Sequence, residues 1–367
     1  ENFTSNDYHW MQTAINYARH GVGLTGPNPS VGCVVVKNNF LISAARTENG
    51  GRPHAETIAL NLAGKNAEGA TLYVTLEPCS HHGKTPPCIE KILSNSIKRV
   101  VVGCLDPDKR NSGLGIIGLK QKGIEVSIGC LQNEAQKLIL GFNSRIKNKK
   151  PFIVVKIASS IDGKISLLNG RSKWITNKHT RRYIHHLRLR NDAILTGIGT
   201  VLKDNPLLNC RVMGMEKFSP KIFVLDSNLK IVSNLKLFKN FKNLSLITTN
   251  SFDKNNANKL NNKNVKFEVL DKDSNNQVNL LNLVKYLAQQ EINNLLIEAG
   301  PKVITNFLNA GLVDRIVLCR AGKLFGSDAI PFIENQNLQK IEHSKNFVLK
   351  ESFIIKEDVI EFWDIKQ

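Results

Sequence analysis

Up to about residue 145 the apolar positions switch repeatedly between a helical rhythm and short β-branched runs. Residues 7–20 read as a helix, and Val31–Val36 and Leu41–Ala45 as strands. Ala55–Ala63 is helical again, followed by a strand at Thr71–Thr75. Pro87–Ser94 reads as a helix with proline near its start, and Arg99–Cys104 as a strand. Leu114–Lys122, Glu125–Ile128 and Asn133–Lys147 continue the alternation. Such alternation predicts a three-layer α/β domain with its site at strand ends and helix starts.

Beyond residue 151 the same pattern resumes. Strands are expected at Phe152–Ala158, Ala193–Thr196, Ile222–Asp226, Leu244–Thr248, Asn294–Ala299, Arg315–Arg320 and Phe353–Trp363. Helices are expected at Lys178–Arg190, Val278–Gln290 and Pro301–Ala310. This predicts a second α/β domain. The polar stretch 250–277, around Val265–Val269, reads as surface loop and edge strand. Between the domains, Arg145–Pro151 is charged, polar and closed by proline, as a linker is.

Length agrees with two domains, since 367 residues exceed one ordinary core. At 41% hydrophobic and 22% charged, the chain can bury such cores. The net charge of +19 favours anionic partners and is spread, +7 over residues 1–150 and +12 over the rest. No apolar run approaches the roughly 20 residues of a spanning helix. The first residues, Glu1–Asp7, lack the basic flank and apolar stretch of a secretory signal. Seven cysteines, an odd number, point to reduced thiols and a cytoplasmic protein. No membrane partner is expected.

Chemistry concentrates first in His54-Ala55-Glu56, Pro78-Cys79 and Cys88. One imidazole and two thiolates make a three-ligand zinc set that leaves a fourth position for water. Glu56, two residues from the histidine, can move protons without ligating. That pairing works only at a helix start, which Pro53 supports. Cys79 and Cys88 also sit at or near expected helix starts, where the dipole stabilises thiolates. The order matches the zinc nucleobase-deaminase pattern H-x-E…P-C-x-x-C, except that eight residues separate the cysteines. His81 and His82, within that loop, read as substrate-facing or loop-ordering groups.

In the second domain three turns stand out: Ser160-Ile161-Asp162-Gly163-Lys164, Leu195–Thr200 with its Gly-x-Gly, and Ile297-Glu298-Ala299-Gly300-Pro301. The last two are geometries that approach phosphates. None completes a dinucleotide fingerprint, so ordinary turns remain the plain alternative.

The run Glu77-Pro78-Cys79-Ser80-His81-His82-Gly83-Lys84-Thr85-Pro86-Pro87-Cys88 resembles the signature of the bifunctional riboflavin-biosynthesis deaminase/reductase family. Pro27–Val34 resembles that family's upstream substrate loop. Ile157–Lys164, Ser172–Thr176, Gly199–Pro206 and Glu298–Pro301 resemble its reductase domain. The resemblance implies a cytidine-deaminase-like α/β/α domain at 1–147, a linker at 148–151, and a dihydrofolate-reductase-like domain at 152–367. It implies zinc on His54, Cys79 and Cys88, with Glu56 as proton carrier and Asn28 as a substrate donor. Asn28 could equally brace its Pro-flanked turn. For the reductase it implies NADPH lined by Ala158, Trp174, Thr200, Asp204, Ser227 and Gly300, with Asp204 also catalytic. Ser172, Arg188, Leu208, Arg211 and Glu298 would face the substrate.

The implied reactions are deamination of 2,5-diamino-6-(5-phosphoribosylamino)pyrimidin-4-one and NADPH-dependent reduction of its ribosyl group to ribityl. A small phosphorylated pyrimidine, no nucleic acid and a homo-oligomer are therefore expected. One departure stands out: Leu114 occupies the place of the family's usual basic residue between two glycines, with Lys109 and Arg110 as the nearby cations. Two rivals are a nucleic-acid deaminase with a non-catalytic basic second domain, and a non-catalytic zinc-stabilised binding protein.

Overall fold

The computed structural model describes residues 2–252, 257, 260 and 265–366. The chain divides into two compact units, residues 1–150 and 151–367.

The first unit is built on α1 (Ser5–Arg19), β1 (Gly32–Lys37), β2 (Phe40–Arg46), α2 (Ala55–Ala63), β3 (Thr71–Leu76), α3 (Cys88–Ser94), β4 (Arg99–Cys104), α4 (Leu114–Gln121), β5 (Glu125–Ile128) and α5 (Gln132–Leu138). The sheet order is β2-β1-β3-β4-β5, with β1 antiparallel to both neighbours and β3, β4 and β5 parallel. The period-two geometry of β1 sends Val34 and Val36 towards α1, where they meet Met11, Ala14 and Ile15. Cys33 and Val35 face the other way, onto the layer containing Ala59, Leu60, Ile92 and Leu119. Helices therefore cover both faces, and three layers result.

At the N-terminus of α1, Thr4 and Asp7 form a reciprocal capping box. Asp7 is buried and also accepts from Arg99 and the Tyr73 hydroxyl. Burial alone would raise its pKa, but these donors outweigh it and hold the carboxyl at about 2.

The basic run after residue 145 is not slack. Leu140–Asn143 is a short helix, α6, and Ser144–Asn148 continues as a π-helical turn, ending at Lys149 in a left-handed conformation. Arg145 is held there by the Pro27 carbonyl and the face of Phe142, which explains why a charged stretch stays wound.

The second unit contains β6 (Phe152–Ser159), β7 (Lys164–Ser166), α7 (Lys178–Leu189), β8 (Ala193–Gly197), α8 (Ile198–Asp204), β9 (Lys221–Leu225), β10 (Leu244–Thr248), β11 (Lys266–Val269), α9 (Leu280–Gln289), β12 (Asn294–Ile297), α10 (Pro301–Asn309), β13 (Arg315–Ala321), β14 (Ile330–Pro331), β15 (Phe347–Ile355) and β16 (Asp358–Ile365). Nine strands form one sheet in the order β11-β10-β9-β8-β12-β6-β13-β16-β15. The first seven run parallel; β16 is antiparallel to both β13 and β15. Ile184, Leu187 and Val201 pack on one face, and Leu283, Leu287, Ile304 and Phe307 on the other.

Three segments depart from expectation. The single strand expected at Phe353–Trp363 is a hairpin, β15 and β16, whose turn places Lys356 at φ 58. A lysine in that position carries no turn signal, which is why the break is invisible in the sequence. The Gly-x-Gly of residues 197–199 is the start of helix α8, with Gly197 as its N-cap, and not an open turn. A Cβ on Gly197 would stand 2.8 Å from Val303 Cγ2, so glycine lets α10 lie close by. The pairing of β7 with β14 is too short to show a period. Val265–Val269 is the expected edge strand, as β11, but most of 253–264 lies outside the described residues. Among the described residues, no helix is long and apolar enough to cross a membrane.

Candidate active sites

In the first unit the expected ligands converge. His54 is the N-cap of α2, extended at φ −72 and ψ 157, so its ring flanks the helix start and is not carried on the helix face. Glu56, two residues on, is 3% exposed. Cys88 is the first residue of α3. Cys79 lies in the irregular segment after β3, not at a helix start of its own. Its Sγ accepts the Cys88 N–H at 3.2 Å and its carbonyl accepts the Ile89 N–H, so it caps α3 from outside. An orphan helix donor thus stabilises the thiolate.

His54 Nδ1 lies 3.3 Å from Cys88 Sγ and 3.6 Å from Cys79 Sγ, and the three donor atoms fall within 4.8 Å of one another. Tetrahedral zinc with ordinary Zn–N and Zn–S bonds has N···S edges of roughly 3.6 Å. The donor set therefore fits a zinc ion, without His81 or His82. His82 instead pairs with Glu90 at 3.1 Å, and His81 Nδ1 is buried without a partner. Hydrogen bonding between the thiols lowers Cys79 and raises Cys88, so Cys79 is the one favoured as a thiolate. Burial pushes the Glu56 carboxyl up, with His54 opposing. A buried carboxyl with raised proton affinity is suited to carrying a proton.

Asn28 Nδ2 donates to the Gly51 carbonyl at 2.8 Å, so one side of its amide braces a turn. Leu114 is exposed at the start of α4. Arg110 is held by both oxygens of Asp108, which engages one of the two nearby cations.

In the second unit a cavity of about 1000 Å3 opens at the carboxyl ends of β8, β9 and β12. That is where parallel α/β sheets place ligands. Thr200 and Asp204 on α8, Ser227 after β9, Gly300 capping α10, and Ser172 all line it. The Ser227 hydroxyl accepts from Val278 N at 3.1 Å. Ala158 and Trp174 are not among the lining residues. Ala158 packs at the edge of the core, while Trp174 is 63% exposed with the Arg181 guanidinium 4.3 Å above its ring.

Arg188 forms a two-point ion pair with Glu298, at 2.6 and 3.0 Å, and donates to the Asn209 carbonyl. Burial would raise Glu298, but Arg188 and then Lys156 overcome it and hold the carboxyl at about 2. Arg211 donates to His185 Nε2 at 3.2 Å, and His185 Nδ1 is 3.2 Å from the Asn209 carbonyl. Burial, with Arg188 and Arg211 nearby, lowers His185 to about 4, so it is neutral and donates through Nδ1. Leu208 is only 3% exposed, and its side chain packs into the core beneath the sheet and not onto the cavity wall.

Lys156 and His185 escaped sequence reasoning. A lone lysine inside the apolar run of β6, and a histidine one turn before Arg188 on α7, were the available signals.

Known proteins resemble both units. Residues 151–360 match the family model of the RibD C-terminal domain, and residues 4–104 that of the cytidine and deoxycytidylate deaminase zinc-binding region. The riboflavin biosynthesis protein RibD of Aquifex aeolicus (strain VF5) is 39% identical, covering 97% of this chain and 98% of that protein. The Escherichia coli (strain K12) protein of the same name is 34% identical, over 96% and 98%. Among solved structures, Acinetobacter baumannii RibD aligns with a TM-score of 0.90 at 34% identity, covering 99% of each chain. A diaminohydroxyphosphoribosylaminopyrimidine deaminase/5-amino-6-(5-phosphoribosylamino)uracil reductase from Thermotoga maritima aligns at 0.86 and 32%, covering 98% of this chain and 99% of that one.

Proposed function

The chain belongs to the RibD family, the zinc- and NADPH-dependent bifunctional deaminase/reductases of riboflavin biosynthesis, and on that premise we propose which residues carry each reaction. We assign deamination to residues 1–147 and reduction to residues 152–367, with 148–151 as the connection. The division into compact units after Lys150 supports this.

In the deaminase, His54, Cys79 and Cys88 hold zinc, and their convergence within 4.8 Å is the observation that carries the reading. Zinc supplies the Lewis acidity that activates water near neutral pH. Glu56 takes the proton of that water and delivers it to the ring nitrogen and the departing ammonia of the diaminopyrimidine. Its burial and raised proton affinity support that role. Asn28 donates to the substrate with whatever capacity the Gly51 contact leaves it.

In the reductase, Thr200, Asp204, Ser227 and Gly300 bind NADPH along the cavity wall, and Ala158 and Trp174, which do not line the cavity, are assigned to the cofactor by the family resemblance alone. NADPH supplies hydride to the ribosyl carbon. Asp204 provides the accompanying proton. Ser172, Arg188, Arg211 and Glu298 face the substrate: Arg211 holds the ribose phosphate, while Arg188, engaged by Glu298, orients that carboxylate towards the substrate's polar groups. Leu208 joins them through its backbone, because its side chain is buried.

A small phosphorylated pyrimidine, and not nucleic acid, is the substrate we assign, and the match of the second unit to the RibD C-terminal domain supports this reading. Seven unpaired thiols support a cytoplasmic setting. Val348, Leu349 and Ile354, exposed along the edge strand β15, support a homo-oligomer.

One coupled assay tests the assignments: ammonia release and NADPH oxidation by the zinc-loaded chain on the diaminopyrimidine nucleotide. Asp204→Ala is expected to cut NADPH oxidation by about 100-fold or more while ammonia release persists. Absence of both activities in the wild type would refute the reading.

A further inference from the structure

We propose that Asn111 is a positioning residue for the zinc ligand Cys79, fixing the two peptide planes on either side of it. The proposal rests on the reading of the first unit as a zinc deaminase.

Asn111 lies in the connection between β4 and α4 and is 0% exposed. Its Oδ1 accepts from Ser80 N at 2.8 Å and from Ser80 Oγ at 2.7 Å. Its Nδ2 donates to the Pro78 carbonyl at 3.3 Å and to Asp106 Oδ2 at 3.2 Å. Two acceptances and two donations exhaust what a carboxamide can do. A fully satisfied buried amide specifies one arrangement of its partners, because each lost bond leaves a buried polar group unpaired.

The partners are what make this pattern informative. The Pro78 carbonyl belongs to the peptide plane preceding Cys79, and Ser80 N to the plane following it. The φ of Cys79 turns the first plane about the Cα, and its ψ turns the second. One rigid, planar amide bonded to both planes removes both freedoms. The direction of the Cβ–Sγ bond is then left to a single rotamer choice.

The connection carrying Asn111 is itself anchored to the strand side. Glu77, 3% exposed, accepts from Asp106 N at 3.1 Å, Gly113 N at 3.0 Å and Gly115 N at 3.1 Å. Gly115 lies against the Pro78 carbonyl so closely that any Cβ would collide with it. The segment 106–115 is therefore a brace for residues 77–80, and Asn111 is the side chain that reaches past its own loop to the ligand's backbone. This also gives the segment a role that needs no basic residue at Leu114.

Partners beyond the ligands themselves typically change metal affinity by 10–100-fold. The test uses the full chain. Zinc dissociation constants are measured by chelator competition, and the visible absorption of the cobalt-substituted protein reports ligand geometry. NADPH oxidation on already deaminated substrate serves as the folding control. Asn111→Leu is expected to weaken zinc by about 10–100-fold, to alter the cobalt bands, and to leave NADPH oxidation intact. Asn111→Asp keeps both acceptor contacts but loses the donations to Pro78 and Asp106, so it is made together with Asp106→Asn to avoid a buried carboxylate pair, and is expected to fall between wild type and leucine. Should Asn111→Leu fold too poorly to measure, the aspartate variant decides alone. Wild-type zinc affinity and cobalt bands in whichever variant is measured would overturn the proposal, whatever its melting temperature, because a merely structural residue moves stability without moving the metal. A wild-type protein that holds no zinc would instead refute the deaminase reading, before any variant is made.

Discussion

The proposed metal centre and the proposed cofactor cavity are built in opposite ways. The former takes its ligands and Glu56 from residues 54 to 88, at helix starts and one braced loop. The latter is gathered from chain segments between residues 165 and 334, at the ends of three strands. The first is a few directed contacts in a buried place. The second is a volume, bounded by residues that individually look ordinary. Removing one residue should therefore be close to all-or-none in the first and graded in the second, the proposed proton donor Asp204 excepted.

The largest expected effect comes from the metal. Dialysis of the whole chain against a zinc chelator should abolish ammonia release while NADPH oxidation on deaminated substrate continues. Parallel loss of both would break the comparison. Glu56→Gln should follow, with ammonia release down by 10²–10⁴-fold as expected for a proton carrier. Zinc content should stay unchanged, as metal analysis would show.

In the second unit the effects are graded and partly energetic. Glu298 has an ordinary pKa of 4.5 and is held at about 2 in the fold by Arg188 and Lys156 against burial. Its ion pair therefore contributes fully above about pH 4.5, and the contribution is lost as pH falls towards 2. Glu298→Gln leaves Arg188 buried without its counter-ion, which costs roughly 3–5 kcal/mol. Denaturant unfolding should show that gap at pH 7 and its narrowing below pH 4.5. A gap independent of pH would show that the ion pair is not its source.

The smallest effect is a control on stability alone. Thr4→Ala removes the side-chain cap of α1, leaving Asp7 its Arg99 and Tyr73 contacts. Unfolding of the first unit should ease by about 1 kcal/mol, with ammonia release per zinc unchanged at assay temperature.

The same contrast explains what was legible. His54, Glu56, Cys79 and Cys88 could be proposed from the sequence because zinc chemistry demands those residue types, and the structure brings the three candidate ligands together. Strands β4 and β10 fall where their apolar runs place them, since burial on both faces favours a continuous run, whereas β5, at the sheet edge, is marked by alternation. The hairpin at Lys356 and the helix begun by Gly197 were not legible, because their turns lack a residue that only that conformation accepts. Asn111, His185 and Lys156 were likewise silent. Each acts through a partner distant in sequence.

By itself, then, the sequence determined two α/β units and pointed to the three-ligand set and proton carrier that we propose, as local periodicity and ligand chemistry are written in nearby residues. Only the tertiary structure decided which strand ends enclose the cavity and that Leu208 turns inward. It also decided that Arg188 spends its charge on Glu298, and that one asparagine spans both peptides flanking Cys79. Those are long-range pairings, set by strand order and by the requirement that every buried polar group find a partner, and no window of the chain contains both halves of them.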